Sequence, residues 1–338
     1  MGIDCLAKLE VPIIKLSNVD KKDDDSDPES RKLWLERSKQ VRDALEEYGC
    51  FLGEYDDDES SCSCNSSSSP KLNSNNYEEI FKGLKELFDL PLETKIKNVS
   101  DKPYHGFLDC RTPFVLPLHQ SLGIENASSY EAVQFFVNLL WPSGNHHFCE
   151  KLFAYSKKIS EMEQLVKRMV FESYGVGKYY DSHIASTTYL LRTMKYRIPK
   201  MGEENIGAEA HTDKSFFTIL HQFDGVNGLQ IKPKNYDQWL GVQFSPNSFL
   251  VMAGDACLAW SNGRIHSATH RVIIEGNKER YSTGLFSYHK GIIEIPQELV
   301  DEKHPLRFNP FNHYGLLGYF STDDCDKIPS TANAYCGV

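Results

Sequence analysis

The sequence has no surplus of positive charge. Lys and Arg number 37 against 47 Asp and Glu, which leaves a formal net charge of −10. Nucleic acids and anionic membranes are bound by basic stripes, so neither is an expected partner. Long hydrophobic runs are missing too. No apolar stretch approaches the roughly 20 residues of a membrane-spanning helix. The first ten residues show no charged-then-apolar leader pattern. Position six is Leu6 rather than Ser or Thr, and Cys336 stands third from the end, so neither myristoylation nor prenylation is expected. The nine cysteines form no regular framework, which argues against a disulfide scaffold and for reduced thiols. These absences leave the expectation of a soluble, cytoplasmic, monomeric protein whose partner is a small molecule.

What is present is concentrated between His211 and Ser282. The stretch opens on His211-Thr212-Asp213 and closes on His270-Arg271-Val272, then Arg280-Tyr281-Ser282. Residues i and i+2 of a strand share a side, so the first spacing predicts an imidazole and a carboxylate on one face. One more His from a neighbouring strand completes a set of two imidazoles and one carboxylate. That set holds Fe(II) and leaves positions open for O₂ and a co-substrate. His266 and His270 both qualify by residue type. Arg280 offers a bidentate guanidinium to a carboxylate near the metal.

Hydrophobic periodicity sorts the rest. Residues 10–16 read as an opening strand. Residues 31–48, 77–89 and 147–174 carry apolar side chains at helical spacing. Pro91 opens a short helical turn. Residues 56–76 contain almost no apolar side chains and predict a flexible loop. Cys62 and Cys64 fall within it, and a low-complexity insertion is favoured there over a metal clip. Residues 103–124, broken by Pro and Gly, read as a pocket wall or lid, or as an ordinary packed loop. From there on, short strands are expected at 188–196, 216–222, 229–233, 239–244, 249–253, 257–260 and 280–288. Asn262-Gly263 reads as a hairpin turn leading into the strand of His270. A helix is expected near 312–320.

Read together, these residues resemble the plant 2-oxoglutarate- and Fe(II)-dependent dioxygenases. Within them the sequence is most similar to the clade of alkenyl- and hydroxyalkyl-producing enzymes of glucosinolate side-chain metabolism. The resemblance is carried by HTDKSFFTIL (211–220), SNGRIHSATHRV (261–272) and RYSTGLFS (280–287). LWPSGN (140–145), YLLRTMKYRIP (189–199) and YCGV (335–338) extend it over nearly the whole chain. It implies an α+β chain with a mainly β core, a double-stranded β-helix (jelly roll, cupin-like) flanked by α-helices. It implies a wrapping region over 1–184, a core over 185–295 and a helical tail over 296–338, working as one catalytic unit.

The same resemblance implies Fe(II) held by His211, Asp213 and His270, because the family ligand stands in His-Arg-Val. It implies 2-oxoglutarate as co-substrate, with its far carboxylate on Arg280 and Ser282. O₂ is then the oxidant and ascorbate the reductant in vitro. Chemistry is centred on the metal, and no separate acid or base residue is implied. A carboxylate at 213, where related halogenases have a small residue, favours oxygen transfer or desaturation. One departure stands out. Many relatives carry Asn-Tyr-Tyr-Pro, whose last Tyr touches the co-substrate. Here the stretch is Tyr196-Arg197-Ile198-Pro199, so Tyr196 becomes the candidate for that contact.

Phe107, Phe114, Phe135, Phe217, Phe286 and Tyr288 are candidate pocket residues, each with plain core packing as its alternative. Such a lining suits an apolar or ring-bearing molecule. The expected reaction is hydroxylation, oxidative demethylation or desaturation of a small plant specialised metabolite, with succinate and CO₂ as co-products. The rival readings are a hormone-inactivating oxidase of the same family and a catalytically silent ligand-binding protein on the same scaffold. Fold alone does not separate them.

Overall fold

Two ten-residue segments, Thr187–Tyr196 and Arg280–His289, are buried along most of their length. A strand covered on both faces needs apolar or hydrogen-bonded side chains at odd and even positions alike. In the computed structural model, which describes residues 10–17, 27–55, 74–113, 115–222, 225–320 and 330–338, the two pair antiparallel. The expectations for 56–73, with Cys62 and Cys64, and for Phe114 lie outside the described residues.

The strands, in chain order, are β1 (Ile13–Lys15), β2 (Cys50–Glu54), β3 (His119–Glu125), β4 (Thr187–Tyr196), β5 (Ile206–His211), β6 (Phe217–Gln222), β7 (Leu229–Lys232), β8 (Leu240–Gly241), β9 (Ser248–Ala253), β10 (Thr269–Ile273) and β11 (Arg280–His289). Seven form a major sheet in the order β1-β2-β9-β6-β11-β4-β3, and four form a minor sheet in the order β5-β10-β7-β8. Two short strands, β12 (Ile292–Ile293) and β13 (Phe311–Asn312), pair with each other. This is the jelly-roll core. The region before residue 185 supplies three strands of the major sheet, β1 within the expected opening strand at 10–16, β2 and β3.

Met194, Leu220, Leu229, Ile231, Leu250, Met252 and Val272 belong to one buried cluster contributed by both sheets. Each such side chain contributes about 1.5–3 kcal/mol on burial, so apolar packing rather than ion pairing holds the sheets face to face. Cross-strand register then sorts each strand by parity. Arg280, Ser282, Phe286 and Tyr288 of β11 share the inner face with Tyr196, Met194, Leu190 and Thr188 of β4. Gln222 and Thr218 of β6 stand opposite Ser282 and Phe286 on the same face.

The outer face of the major sheet is covered by helices. They are α1 (Pro28–Glu47), α2 (Ser74–Asp89), a short α3 (Leu92–Lys95), α4 (Tyr130–Leu140), α5 (His146–Ser173) and α6 (Tyr180–Ala185). Helix α1 starts where the Asp27 carboxylate accepts from the Glu29 and Ser30 N–H groups, with Pro28 in the first turn. Helix α5 starts where Asn145 accepts from Phe148 N–H. It buries Leu152, Ile159, Met162, Val166 and Met169. The remaining helices are α7 (Asp255–Trp260), α8 (His313–Phe320) and α9 (Thr331–Cys336).

Three local expectations are corrected. Residues 257–260 are helical, in α7, not a strand; a short apolar run does not distinguish the two. Asn262 and Gly263 have φ of 56° and 78°, but they end α7 instead of joining two strands. The Gly263 N–H donates to Leu258 O, closing the helix end. The Pro- and Gly-broken stretch 103–124 ends in β3. Helix α4, capped by Ser129, stands where the sequence reading assigns no element.

Burial also sets an acid limit. His119, His221 and His313 are pushed down to about 3, and His266 to about 4, chiefly by loss of water. In the unfolded chain these rings titrate near 6.5. Their folded values are depressed, so the unfolded chain binds more protons between the two. Stability is therefore full above about pH 6.5 and falls as pH drops toward 4 and below. Urea midpoints measured at steps through that window are expected to decline steeply, and a flat profile would contradict the neutral burial of these rings.

Candidate active site

Strands β5 and β10 bring the two imidazoles together. His211, the last residue of β5, is the direct cross-strand partner of His270 in β10. Their ring centroids are 4.2 Å apart. Asp213 does not share a strand with His211, contrary to expectation. The chain leaves β5 after His211, and the Asp213 carbonyl accepts from the Asp255 N–H at 2.8 Å. Thr218 Oγ1 donates to Asp213 Oδ2 at 2.7 Å and orients the carboxylate. Oδ1 then lies 3.7 Å from His211 Nε2 and 3.8 Å from His270 Nε2. The donor atoms all fall within 4.8 Å of one another.

This set fits a metal ion. Bonds of about 2.1 Å put neighbouring octahedral ligands about 3 Å apart, so a cation would draw the carboxylate and each ring together by under about 1 Å. The tautomers fit as well. Nδ1 of His211 is 2.7 Å from Glu209 O, and Nδ1 of His270 is 3.1 Å from Ala268 O. Each carbonyl accepts the Nδ1 proton and leaves an Nε2 lone pair toward Asp213. Burial, then the neighbouring His270, pushes His211 down to about 4, so the ring is neutral, as a ligand must be. His266 precedes β10 and is tied elsewhere, its N–H donating to Leu45 O.

The Asp213 loop leaves no room behind it. A Cβ at Gly254 would stand 2.1 Å from Ser215 O and 2.9 Å from Asp213 O. Both are backbone atoms. Gly254→Ala is expected to cost about 1–3 kcal/mol of stability. By moving Asp213 it should weaken iron binding roughly 10–100-fold. Urea unfolding and an iron titration check the two effects separately.

Beside the three candidate donors lies a second polar group. Arg280 is buried, and its Nη1 donates to Ser282 Oγ at 2.9 Å. Its guanidinium lies 5.3 Å from the Tyr196 ring centroid. Gln222, opposite Ser282, is buried with neither amide atom bonded to any described residue. His119 lies 4.8 Å from Tyr196, and its Nε2 is 2.9 Å from Ser121 Oγ. Its Nδ1 has no partner among the described residues. A buried arginine with a hydroxyl and an unused amide beside it is the chemistry a carboxylate needs. Ile198 lies past the end of β4 and is 39% exposed. Gln222 and His119 were not singled out from sequence. Gln222 was legible through parity, two places after Leu220 in FTILHQ, whereas His119 depended on recognising β3.

The aromatic candidates separate. Phe286 and Tyr288 gather with Leu190, Leu317, Tyr104 and Tyr314. Phe217 faces the helical layer instead, packed at 5.2 Å against Phe216. Phe107 packs against that same outer core. Phe135 is 72% exposed on α4 while its neighbour Phe136 is buried. For Phe217 and Phe135 the strand or helix phase, which composition does not reveal, turned the ring away from the inner face; Phe107 lies in the loop before β3.

A jelly roll carrying two imidazoles and a carboxylate at one site, with a buried arginine beside them, defines a class, and comparison with known proteins shows the same one: the chain belongs to the 2-oxoglutarate- and Fe(II)-dependent dioxygenases. The 2OG-Fe(II) oxygenase superfamily profile matches residues 176–288. The chain is 41% identical over 335 residues to the probable 2-oxoglutarate-dependent dioxygenase AOP1 of Arabidopsis thaliana, covering 96% of this chain and 95% of that one. It is 30% identical to 2-oxoglutarate-dependent dioxygenase AOP2 of the same plant, covering 98% of each. The solved dioxygenase for auxin oxidation 1 of Arabidopsis thaliana, in its 2-oxoglutarate complex, superposes with a TM-score of 0.71 at 25% identity, covering 87% of this chain and 99% of that one. The protein is an oxidoreductase that uses Fe(II) and 2-oxoglutarate on a small organic substrate. Among the described residues no helix is long and apolar enough to cross a membrane.

Proposed function

We propose that the chain oxidises a small, largely apolar plant specialised metabolite at an unactivated C–H, with His211, Asp213 and His270 holding Fe(II) and Arg280 holding 2-oxoglutarate. One observation carries this reading: the three metal-type donors lie within 4.8 Å of one another beside a buried Arg280–Ser282 pair. Fe(II), 2-oxoglutarate and O₂ together supply the oxidant that removes hydrogen from the substrate, with succinate and CO₂ as co-products.

The protein's own residues bind and orient. Arg280 and Ser282 take the far carboxylate of the co-substrate, and Gln222 donates an amide N–H to it. Tyr196 supports the plane of the guanidinium and stands in for the family tyrosine that Ile198 replaces. Glu209 O and Ala268 O hold both imidazoles in the ligating tautomer. Phe286, Tyr288, Tyr104 and Tyr314 exclude water and hold the substrate's apolar body near the metal. Residues 185–295 carry the chemistry, 1–184 and 296–338 complete the scaffold, and the chain works as one catalytic unit, a cytoplasmic monomer.

Hormone inactivation is the second reading, favoured by the likeness to a dioxygenase for auxin oxidation. The test is succinate formation from 2-oxoglutarate under air with Fe(II) and ascorbate, with and without plant metabolite extract. Stimulation by the extract is expected, and product masses then separate hydroxylation, demethylation and desaturation. Iron and 2-oxoglutarate binding with no turnover in any extract would favour the silent binding protein.

A further inference from the structure

The inner face of the major sheet holds a second buried arginine with no carboxylate of the described residues paired to it. Arg192 lies on β4 between Leu190 and Met194 in the inward row and is 6% exposed. Its Nη1 donates to Tyr104 O, and its Nη2 donates to Gly106 O at 3.2 Å and to Ser121 Oγ. All three acceptors are neutral. Among the described residues no Asp or Glu forms an ion pair with it. Burial pulls its pKa down only to about 10, so the guanidinium is charged at neutral pH. The 104–106 loop sits directly over it. A Cβ on Gly123, the cross-strand partner of Arg192, would stand 1.9 Å from His105 O. Tyr104 holds a left-handed φ of 62° in that loop.

The charges around the metal make this arginine conspicuous. With Fe(II) and dianionic 2-oxoglutarate bound, their charges cancel against those of Asp213 and Arg280. His119, pushed down to about 3, contributes none. Among the described residues no charge then balances Arg192, which stands in a desolvated interior where an unpaired charge is costly. Its surroundings suggest what completes it. Tyr288 feels the charges of both Asp213 and Arg192, and it stacks on Tyr314 at 5.6 Å. Tyr104, whose carbonyl accepts from Arg192, belongs to the same cluster as Tyr288 and Phe286, so the aromatic cluster and the cation adjoin each other.

We propose that Arg192 anchors the substrate, and that the substrate is a small organic anion: an apolar or ring-bearing body with one carboxylate or sulfate group. The anion takes N–H groups of Arg192 not used on Tyr104, Gly106 and Ser121, and the body lies along Tyr288 and Phe286. The proposal rests on the reading of the site given above and adds the class of substrate. Sequence already held a hint of it, since Arg192 is the one charged residue inside the run YLLRTM.

The test uses the whole protein with Fe(II) and 2-oxoglutarate under anaerobic conditions. The probes are phenylacetate, phenyl sulfate and neutral phenylacetamide. Readouts are the visible absorbance of the iron–2-oxoglutarate chelate and the thermal unfolding temperature. Wild type is expected to bind at least one anion about thirtyfold or more tightly than the amide, and the better anion identifies the class. Arg192→Met is expected to lose that preference while keeping the chelate absorbance. Arg192→Lys, which keeps the charge but loses the fork, retains part of it and decides the matter if Arg192→Met does not fold. Equal binding of amide and anions, a preference that survives in the variants, or no response to any probe overturns the proposal. Absence of the chelate absorbance in wild type without any probe would instead sink the site reading on which it rests.

Discussion

His270→Ala is expected to lose iron binding and succinate formation together, whereas His266→Ala is expected to keep both. The two histidines are four residues apart, both largely buried, and both plausible as ligands from sequence. The sheet separates them. His270 is the register partner of His211 across β5 and β10, and its Nε2 lies 3.8 Å from Asp213 Oδ1. His266 precedes β10, and its backbone is bonded to Leu45 in α1. Its Nε2 has no partner among the described residues. Removing that ring leaves no described residue short of a bond to Nε2, although it leaves a cavity that costs stability. In His270→Ala two donors cannot enclose the ion, and the remaining imidazole and carboxylate do not replace the missing face. Iron content by metal analysis and succinate by chromatography should fall together. A dead His266→Ala with an active His270→Ala would overturn the metal site.

The grouping of His211, Asp213 and His270 was legible because these residues lie in compact local motifs whose residue types have few other uses in combination. The route to their geometry was less so. Asp213 was expected on the strand of His211, yet it is carried on a loop tied to Asp255 and oriented by Thr218. Nothing in His-x-Asp encodes that tether. The long strands β4 and β11 were plain, because TYLLRTMKY and RYSTGLFSY are rich in β-branched and aromatic residues and hold no proline. Residues 257–260 were misread because four apolar residues satisfy a buried strand and a buried helix equally well. The pocket aromatics fared worst. Phe217 and Phe286 occur in similar strands, and only the pairing of β6 with β11 decides which ring lies on the inner face of the major sheet and which on the helical side. A one-residue change of register would exchange them.

The second large effect is expected at Arg280. Arg280→Leu should raise the KM for 2-oxoglutarate by roughly thirtyfold to several thousandfold, as the loss of one side of a desolvated charge pair costs about 2–5 kcal/mol. Arg280→Lys should fall between, because it keeps the charge but not the two-pronged geometry. The neighbouring amide gives a sharper form of the test. Gln222 buries an amide that has no partner among the described residues, at a cost of about 1–3 kcal/mol to the protein without co-substrate. Gln222→Leu removes that cost, so the variant should unfold at higher urea concentration than wild type when 2-oxoglutarate is absent. It also removes a donor to the carboxylate, so it should bind 2-oxoglutarate more weakly. A residue kept for packing alone would not give opposite signs in those two measurements. If Gln222→Leu instead destabilises the free protein and leaves the KM unchanged, Gln222 has a structural partner and the carboxylate lies elsewhere.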